Sequence, residues 1–163
     1  MTRILFVHGA GGFVEDRPLA DAFGELSNAS VDMPHLPDED MSVEAWADII
    51  RESLSAEPDF VVGHSFGATI LLHVLATTSA PSVSTATLLA MPDWSADGWD
   101  VPEYRFTGPE PALAMSLHHC RDDDIVSFDH LALNSAVLPR ATVHEYPRGG
   151  HQFEGVFGEP RST

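Results

Sequence analysis

Unbroken apolar runs of strand length alternate along the chain with stretches in which apolar residues recur at helical spacing. Ile4-Leu5-Phe6-Val7 opens into His8-Gly9-Ala10-Gly11-Gly12, which predicts a strand buried on both faces followed by a glycine-rich turn. From Asp16 to about Leu26, the positions Leu19, Ala20, Phe23 and Leu26 predict a helix, with Pro18 suited to its first turn. Residues 29–33 predict a short second strand and residues 34–40 a loop. Ser42 is placed to cap a helix reaching about Ser55, with Val43, Trp46, Ile49, Ile50 and Leu54 on its inner face and Trp46 in the core. Phe60-Val61-Val62 predicts a third strand, and Ala68-Thr69-Ile70-Leu71-Leu72 starts a helix that Ser79-Ala80-Pro81-Ser82 ends after about Thr77. Residues 85–90, 113–120 and 142–146 predict three more strands, and residues 128–137 the last helix. The alternation predicts an α/β fold, a doubly wound and mainly parallel six-stranded sheet with helices on both faces. Residues 91–112 break the rhythm with four prolines and the aromatics Trp94, Trp99, Tyr104 and Phe106. They follow the carboxyl end of a strand, where α/β folds keep their sites, so Trp94, Trp99 and Tyr104 are expected to line a substrate pocket.

The third strand meets its helix at Gly63-His64-Ser65-Phe66-Gly67. A strand that ends abruptly in a helix, with serine at the corner and glycine two residues to either side, has the form of a nucleophile elbow. The glycines are needed sterically, because side chains there would clash with the flanking strand and helix, and the serine hydroxyl is held out above the sheet edge.

A serine hydroxyl needs a base to become a nucleophile, and the base needs a carboxylate to hold its tautomer. An acidic loop, Asp122-Asp123-Asp124, follows the fifth strand, and Gly149-Gly150-His151 follows the sixth, the two glycines letting that loop turn back towards Ser65. Serine, acid and histidine in that order, each beyond a strand's carboxyl end, would gather on one rim of the sheet. Any of the three aspartates could be the acid at this point. The turn at residues 8–12 could cradle phosphate or supply an oxyanion donor, but its glycine spacing matches no phosphate-binding motif. His8 and His64 flank these turns and are expected to support the site. His118 and His119 alternate on a strand, so they cannot share a metal and are read as structural. The aspartate run lacks the periodic oxygen ligands of a calcium loop. No metal or cofactor is expected.

At 163 residues the chain suits one domain and leaves no room for a cap. Its formal charge is −17, from 25 acidic side chains against 8 basic ones, all arginine. That balance disfavours nucleic acid and anionic membrane as partners and leaves a small-molecule substrate as the expected one; oligomeric state is not legible. There is no membrane-length apolar stretch, and Met1-Thr2-Arg3 runs straight into a strand, so a soluble, cytoplasmic protein is expected. The single Cys120 excludes an internal disulfide and reads as a small buried residue at a strand end.

Taken together, Val7-His8-Gly9, Gly63-His64-Ser65-Phe66-Gly67, Asp123-Asp124-Ile125-Val126 and Gly149-Gly150-His151 resemble the α/β-hydrolase superfamily. The short length, Trp46, Ala90-Met91-Pro92-Asp93-Trp94 and the tail Gly155-Val156-Phe157-Gly158-Glu159-Pro160 are similar to its small lidless serine hydrolases, of the YdeN and retinoblastoma-binding serine hydrolase type. The resemblance implies strand order 2-1-3-4-5-6, and it implies Asp123 as the acid, because Asp123 stands three residues before Val126 in an Asp-x-x-Val register. It further implies oxyanion donors at the Ala10 and Phe66 backbone N–H groups, and a Ser65-His151-Asp123 triad acting on small neutral carboxylic esters through an acyl-enzyme. A thioesterase or amidase using the same triad, and a hydrolase fold that only binds, are the alternatives.

Overall fold

The computed structural model describes residues 1–158, so Glu159 and Pro160 of the tail lie outside the described residues. The strands are β1 (Arg3–Val7), β2 (Ser30–Asp32), β3 (Phe60–His64), β4 (Thr85–Leu89), β5 (Ala114–Cys120) and β6 (Thr142–Tyr146). They pair in the order β2-β1-β3-β4-β5-β6, and every pairing is parallel. Register puts Phe6 beside Val62, Val62 beside Thr87 and Thr87 beside Ser116, so the carboxyl ends of the central strands finish together.

Side chains on these strands alternate between two cores. Leu5, Val61 and Leu88 pack with α2 (Val43–Leu54), α3 (Phe66–Thr77) and Leu131 of α4 (Asp129–Val137). Ile4, Phe6, Val62 and Leu89 pack on the opposite face with α1 (Arg17–Ser27) and Phe153 from the C-terminal turns. Ser42 caps α2 as expected, its hydroxyl accepting the Ala45 N–H at 3.2 Å. Trp46 is fully buried, with its indole N–H on the Pro37 carbonyl at 2.9 Å. α3 is buried on nearly every side, which is why its apolar run carries no amphipathic stripe.

Two expectations are corrected. Leu26 is 65% exposed, although Leu19, Ala20 and Phe23 are buried as predicted. In the last turns of α1 it is Gly24 that meets the sheet, so closely that a Cβ there would lie 2.9 Å from Val31, and the chain then leaves through left-handed Asn28 into the three-residue edge strand. The stretch 91–112 is not wholly irregular either, since Pro102–Tyr104 form a single 3-10 turn. No cap domain is inserted between the strands. Among the described residues no helix is long and apolar enough to cross a membrane.

Ion pairs between arginine and carboxylate involve only Arg51, Arg121 and Arg140 among the described residues. Most of the charge is therefore uncompensated, and repulsion opposes the compact state. The melting temperature should rise when sodium chloride goes from about 0.01 M to about 0.1 M, which shortens the screening length from about 30 Å to about 10 Å. A calorimetric midpoint that stays put would mean that the acidic groups are balanced locally.

Candidate active site

Ser65 lies between β3 and α3 with φ 55° and ψ −123°, a conformation that side chains rarely adopt. Close packing on both sides imposes it. A Cβ at Gly63 would sit 2.7 Å from the Ala68 Cα, and one at Gly67 would run into the carbonyl oxygens of His8 and, at 2.5 Å, Val7. The Ser65 N–H donates to the Leu89 carbonyl at 2.8 Å, tying the corner to the next strand. Beneath it, His8 donates from Nδ1 to the Gly9 carbonyl at 2.7 Å and accepts the Leu36 N–H at Nε2 at 3.0 Å. These partners need a neutral ring, in keeping with the burial that lowers its pKa.

The three consecutive aspartates separate cleanly. Asp123 is buried, its Oδ1 accepting the N–H groups of Ile125 and Val126 at 2.9 Å each and its Oδ2 facing His151 Nδ1 at 3.0 Å. Burial opposes ionisation of this carboxyl, but hydrogen bonds from His119, His151 and the Val126 N–H outweigh it and hold the group well below the usual carboxylate range. Asp122 accepts the Gly150 N–H at 2.8 Å and the Gly149 N–H at 3.4 Å, so it anchors the loop that carries His151. Asp124 is exposed. Gly149 and Gly150 adopt φ 138° and 65°, and a Cβ at Gly149 would lie 2.8 Å from the Cys120 Sγ, so the loop turns back as expected.

Ser65 and His151 open onto one cleft of about 430 Å³ beside Ala10, Phe66, Trp94, Trp99 and Tyr104. No hydrogen bond joins Ser65 to the His151 ring among the described residues, a contact that in such sites often forms only with substrate bound. The Phe66 N–H, first in α3, and the Ala10 N–H have no backbone acceptor among the described residues. Trp94 and Tyr104 turn their polar atoms inward, the indole N–H to Thr69 Oγ1 at 2.8 Å and the phenol O–H to the Met41 carbonyl at 2.9 Å. Both therefore line the cleft with their polar atoms already bonded, while Trp99 packs edge-on against Trp94 at 5.1 Å and stays 41% exposed. Among the described residues no group of three or more His, Cys, Asp or Glu side chains is arranged to hold a metal ion.

The sequence model of the serine hydrolase family matches residues 21–154. The chain belongs to the serine hydrolase family. Among solved structures it is similar to the ydeN gene product of B. subtilis, at 16% identity and TM-score 0.75 over 98% of this chain and 93% of that one. An α/β-hydrolase enzyme from the sediment metagenome of the Mar Chica lagoon, Morocco, matches at 16% identity and TM-score 0.69 over 93% and 82%. The esterase domain of a Rhodothermus marinus protein matches at 18% and 0.65 over 94% and 78%. Likeness at this level establishes the α/β-hydrolase fold, of the lidless YdeN form. No curated protein matches the sequence.

Two features of this serine hydrolase's site were not visible in its sequence. His119 is more than a structural residue of β5, for its Nε2–H is shared between the Val126 carbonyl at 2.8 Å and Asp123 Oδ2 at 3.3 Å. Alternation along β5 pointed it away from His118 but could not say what it would meet. Asp16 was legible only as the start of a helix; its carboxylate caps nothing and instead reaches Gly9, His64 and Gln152. His118 behaves as expected, stacked on His144 at 4.5 Å, with burial lowering its pKa to about 4.

Asp16 and Asp123 both have folded-state pKa values below the ordinary 3.8. A depressed carboxyl contributes stability that is complete above its unfolded pKa and is lost as pH falls towards the folded one. The serine hydrolase should therefore lose stability steeply below about pH 4, and Asp123→Asn should flatten that acid limb. Urea midpoints of both proteins from neutral pH downwards read this directly; parallel curves would remove Asp123 as a source.

Proposed function

We propose that this serine hydrolase cleaves small neutral carboxylic esters through Ser65, His151 and Asp123. The observation that carries the reading is convergence: a strained serine, an imidazole hydrogen-bonded to a buried carboxylate and two free backbone N–H groups all border one cleft. Ser65 Oγ attacks the ester carbonyl while His151 Nε2 takes its proton, and Asp123 holds the Nδ1–H so that the imidazolium is oriented and stabilised. The Ala10 and Phe66 N–H groups receive the oxyanion, each contributing about 3 kcal/mol. His151 then protonates the departing alcohol, and a water activated by the same imidazole hydrolyses the acyl-enzyme.

Three things support a small neutral ester. The wall of Phe66, Trp94 and Tyr104 offers apolar faces whose polar atoms are already bonded elsewhere. The cleft is small, and the net charge of −17 repels anionic acyl groups. One similar structure is named as an esterase domain.

An organophosphonate probe should label Ser65 stoichiometrically and no other serine, and labelling that survives Ser65→Ala would sink the mechanism. With one activated ester, Asp123→Asn should lower turnover by about 10⁴-fold, as the corresponding change does in serine proteases. Asp122→Asn keeps an oxygen for the Gly150 N–H and Asp124→Asn removes only an exposed charge, so each should cost less than about tenfold, or about 1.4 kcal/mol. A larger loss at either would move the acid assignment. Across a series of acyl lengths, with thioester and amide analogues alongside, turnover should favour short acyl esters.

A further inference from the structure

Asp16 and His64 form a second buried carboxylate–imidazole couple, apart from the one between Asp123 and His151. Their side chains are each 2% exposed, and His64 Nδ1 lies 2.9 Å from Asp16 Oδ2. The other ring nitrogen, His64 Nε2, lies 2.7 Å from the backbone carbonyl of His151. Both of its partners are therefore acceptors. A neutral imidazole has one N–H and one bare nitrogen, and the bare nitrogen would face an oxygen lone pair at hydrogen-bond distance. Burial opposes ionisation of Asp16, but the hydrogen bonds from His64, Gln152 and the Gly9 N–H outweigh it and favour the carboxylate. With Asp16 ionised, the geometry is satisfied only when both nitrogens donate, which makes His64 an imidazolium and Asp16 its counterion.

The carboxylate has further work. Asp16 Oδ2 also accepts the Gly9 N–H at 2.8 Å, and Oδ1 accepts from Gln152 Nε2 at 2.9 Å. Gly9 immediately precedes Ala10, and the turn comes so close to the elbow that a Cβ on Gly9 would lie 3.2 Å from the Ser65 Cβ. His64 immediately precedes Ser65, and Gln152 immediately follows His151. One charged pair thus ties together three segments, distant in sequence, that carry an oxyanion donor, the nucleophile and the base.

We infer that Asp16 and His64 are positioning residues, a buried charged clamp that sets the spacing of the Ala10 turn, Ser65 and the His151 loop. The inference rests on the reaction proposed above. Stability alone does not account for such a pair, because the desolvation of two buried ions commonly cancels their attraction, whereas losing either partner is severe. Asp16 also neutralises a cation whose ring centroid lies 4.7 Å from that of His151, so the base sits beside a balanced pair.

Asp16→Asn keeps the size and one oxygen for the Gly9 N–H but removes the counterion and an acceptor. In the folded variant, kcat for an activated ester should fall by about 10²-fold, the scale of a misplacement near 1 Å, with KM changed less than about threefold. The double variant Asp16→Asn/His64→Gln should lose no more than the worse single one, because the pair acts as a unit. A folded Asp16→Asn protein with a lowered melting temperature and unchanged kcat would reduce the couple to a structural role and overturn the inference, as would additive losses. Wild-type turnover and Ser65 labelling are read first and test the proposed reaction separately. Long-range proton–nitrogen correlation spectra of the labelled wild-type protein at neutral pH need neither a folded variant nor activity. Protons on both His64 ring nitrogens support the clamp, and a bare nitrogen there overturns it.

Discussion

The approach of the β3–α3 corner to the end of β1 is the constraint on which the rest of the site depends. Gly67 packs against the Val7 and His8 carbonyls and Gly63 against Ala68, leaving no room for a side chain at either position. Ser65 is forced to φ 55°, at a cost of order 1–3 kcal/mol. The surrounding structure offsets that cost, since α3 is buried over almost its whole length and β3 pairs on both sides. Strain is thus stored at one residue because the elements that hold it are themselves buried and paired. The same approach brings the glycine-rich turn after β1 alongside Ser65, so one steric contact sets both the corner and that turn.

Around that corner, hydrogen-bond partners sort the buried imidazoles by charge. His8 has one acceptor and one donor as partners and is neutral. His130 accepts the Asp93 N–H at 2.8 Å, which anchors the start of the cleft-wall loop, and burial lowers its pKa. His64, between two acceptors, is the exception. Of the three buried aspartates, Asp93 accepts the Ser95 N–H at 3.0 Å, while Asp16 and Asp123 stand beside His64 and His151.

Legibility followed the physical range of each signal. The strands, helices and sheet order could be read because apolar runs and helical spacing are local, and because an alternating chain admits few topologies. Ser65, His151 and the bordering aromatics could be read because glycine turns and strand ends mark where the chain must stop and expose a side chain. Leu26 misled because periodicity states an angle around α1 and says nothing of where the sheet beneath it ends. Asp16 and His119 were invisible as partners for a different reason. Their meaning lies in contacts with atoms that only the fold brings near, 48 residues away in the case of Asp16 and His64. Among the three aspartates, the resemblance pointed to Asp123, and the structure brings that one to His151 while giving Asp122 the separate task of holding Gly149 and Gly150.

The two sides of the cleft are built on different terms. Ser65, His151 and Asp123 are fixed by hydrogen bonds that cross from one strand end to the next, those of Ser65 to Leu89 and of His151 to His64 running through their backbone atoms. The wall at residues 91–112 is anchored by Asp93 to His130, by Trp94 to Thr69 and by Tyr104 to the Met41 carbonyl. Trp99 adds a backbone bond to the Asp93 carbonyl at 2.8 Å and ring-edge contacts to Trp94 at 5.1 Å and His130 at 5.5 Å. Trp94 and Tyr104 meet the Phe66 ring of the elbow at centroid distances of 6.1 and 4.9 Å, whereas Trp99 borders the cleft and is 41% exposed. The Ser65 corner is therefore tied to the sheet, while the facing wall comes from a connecting segment, the part of such a fold that varies most readily.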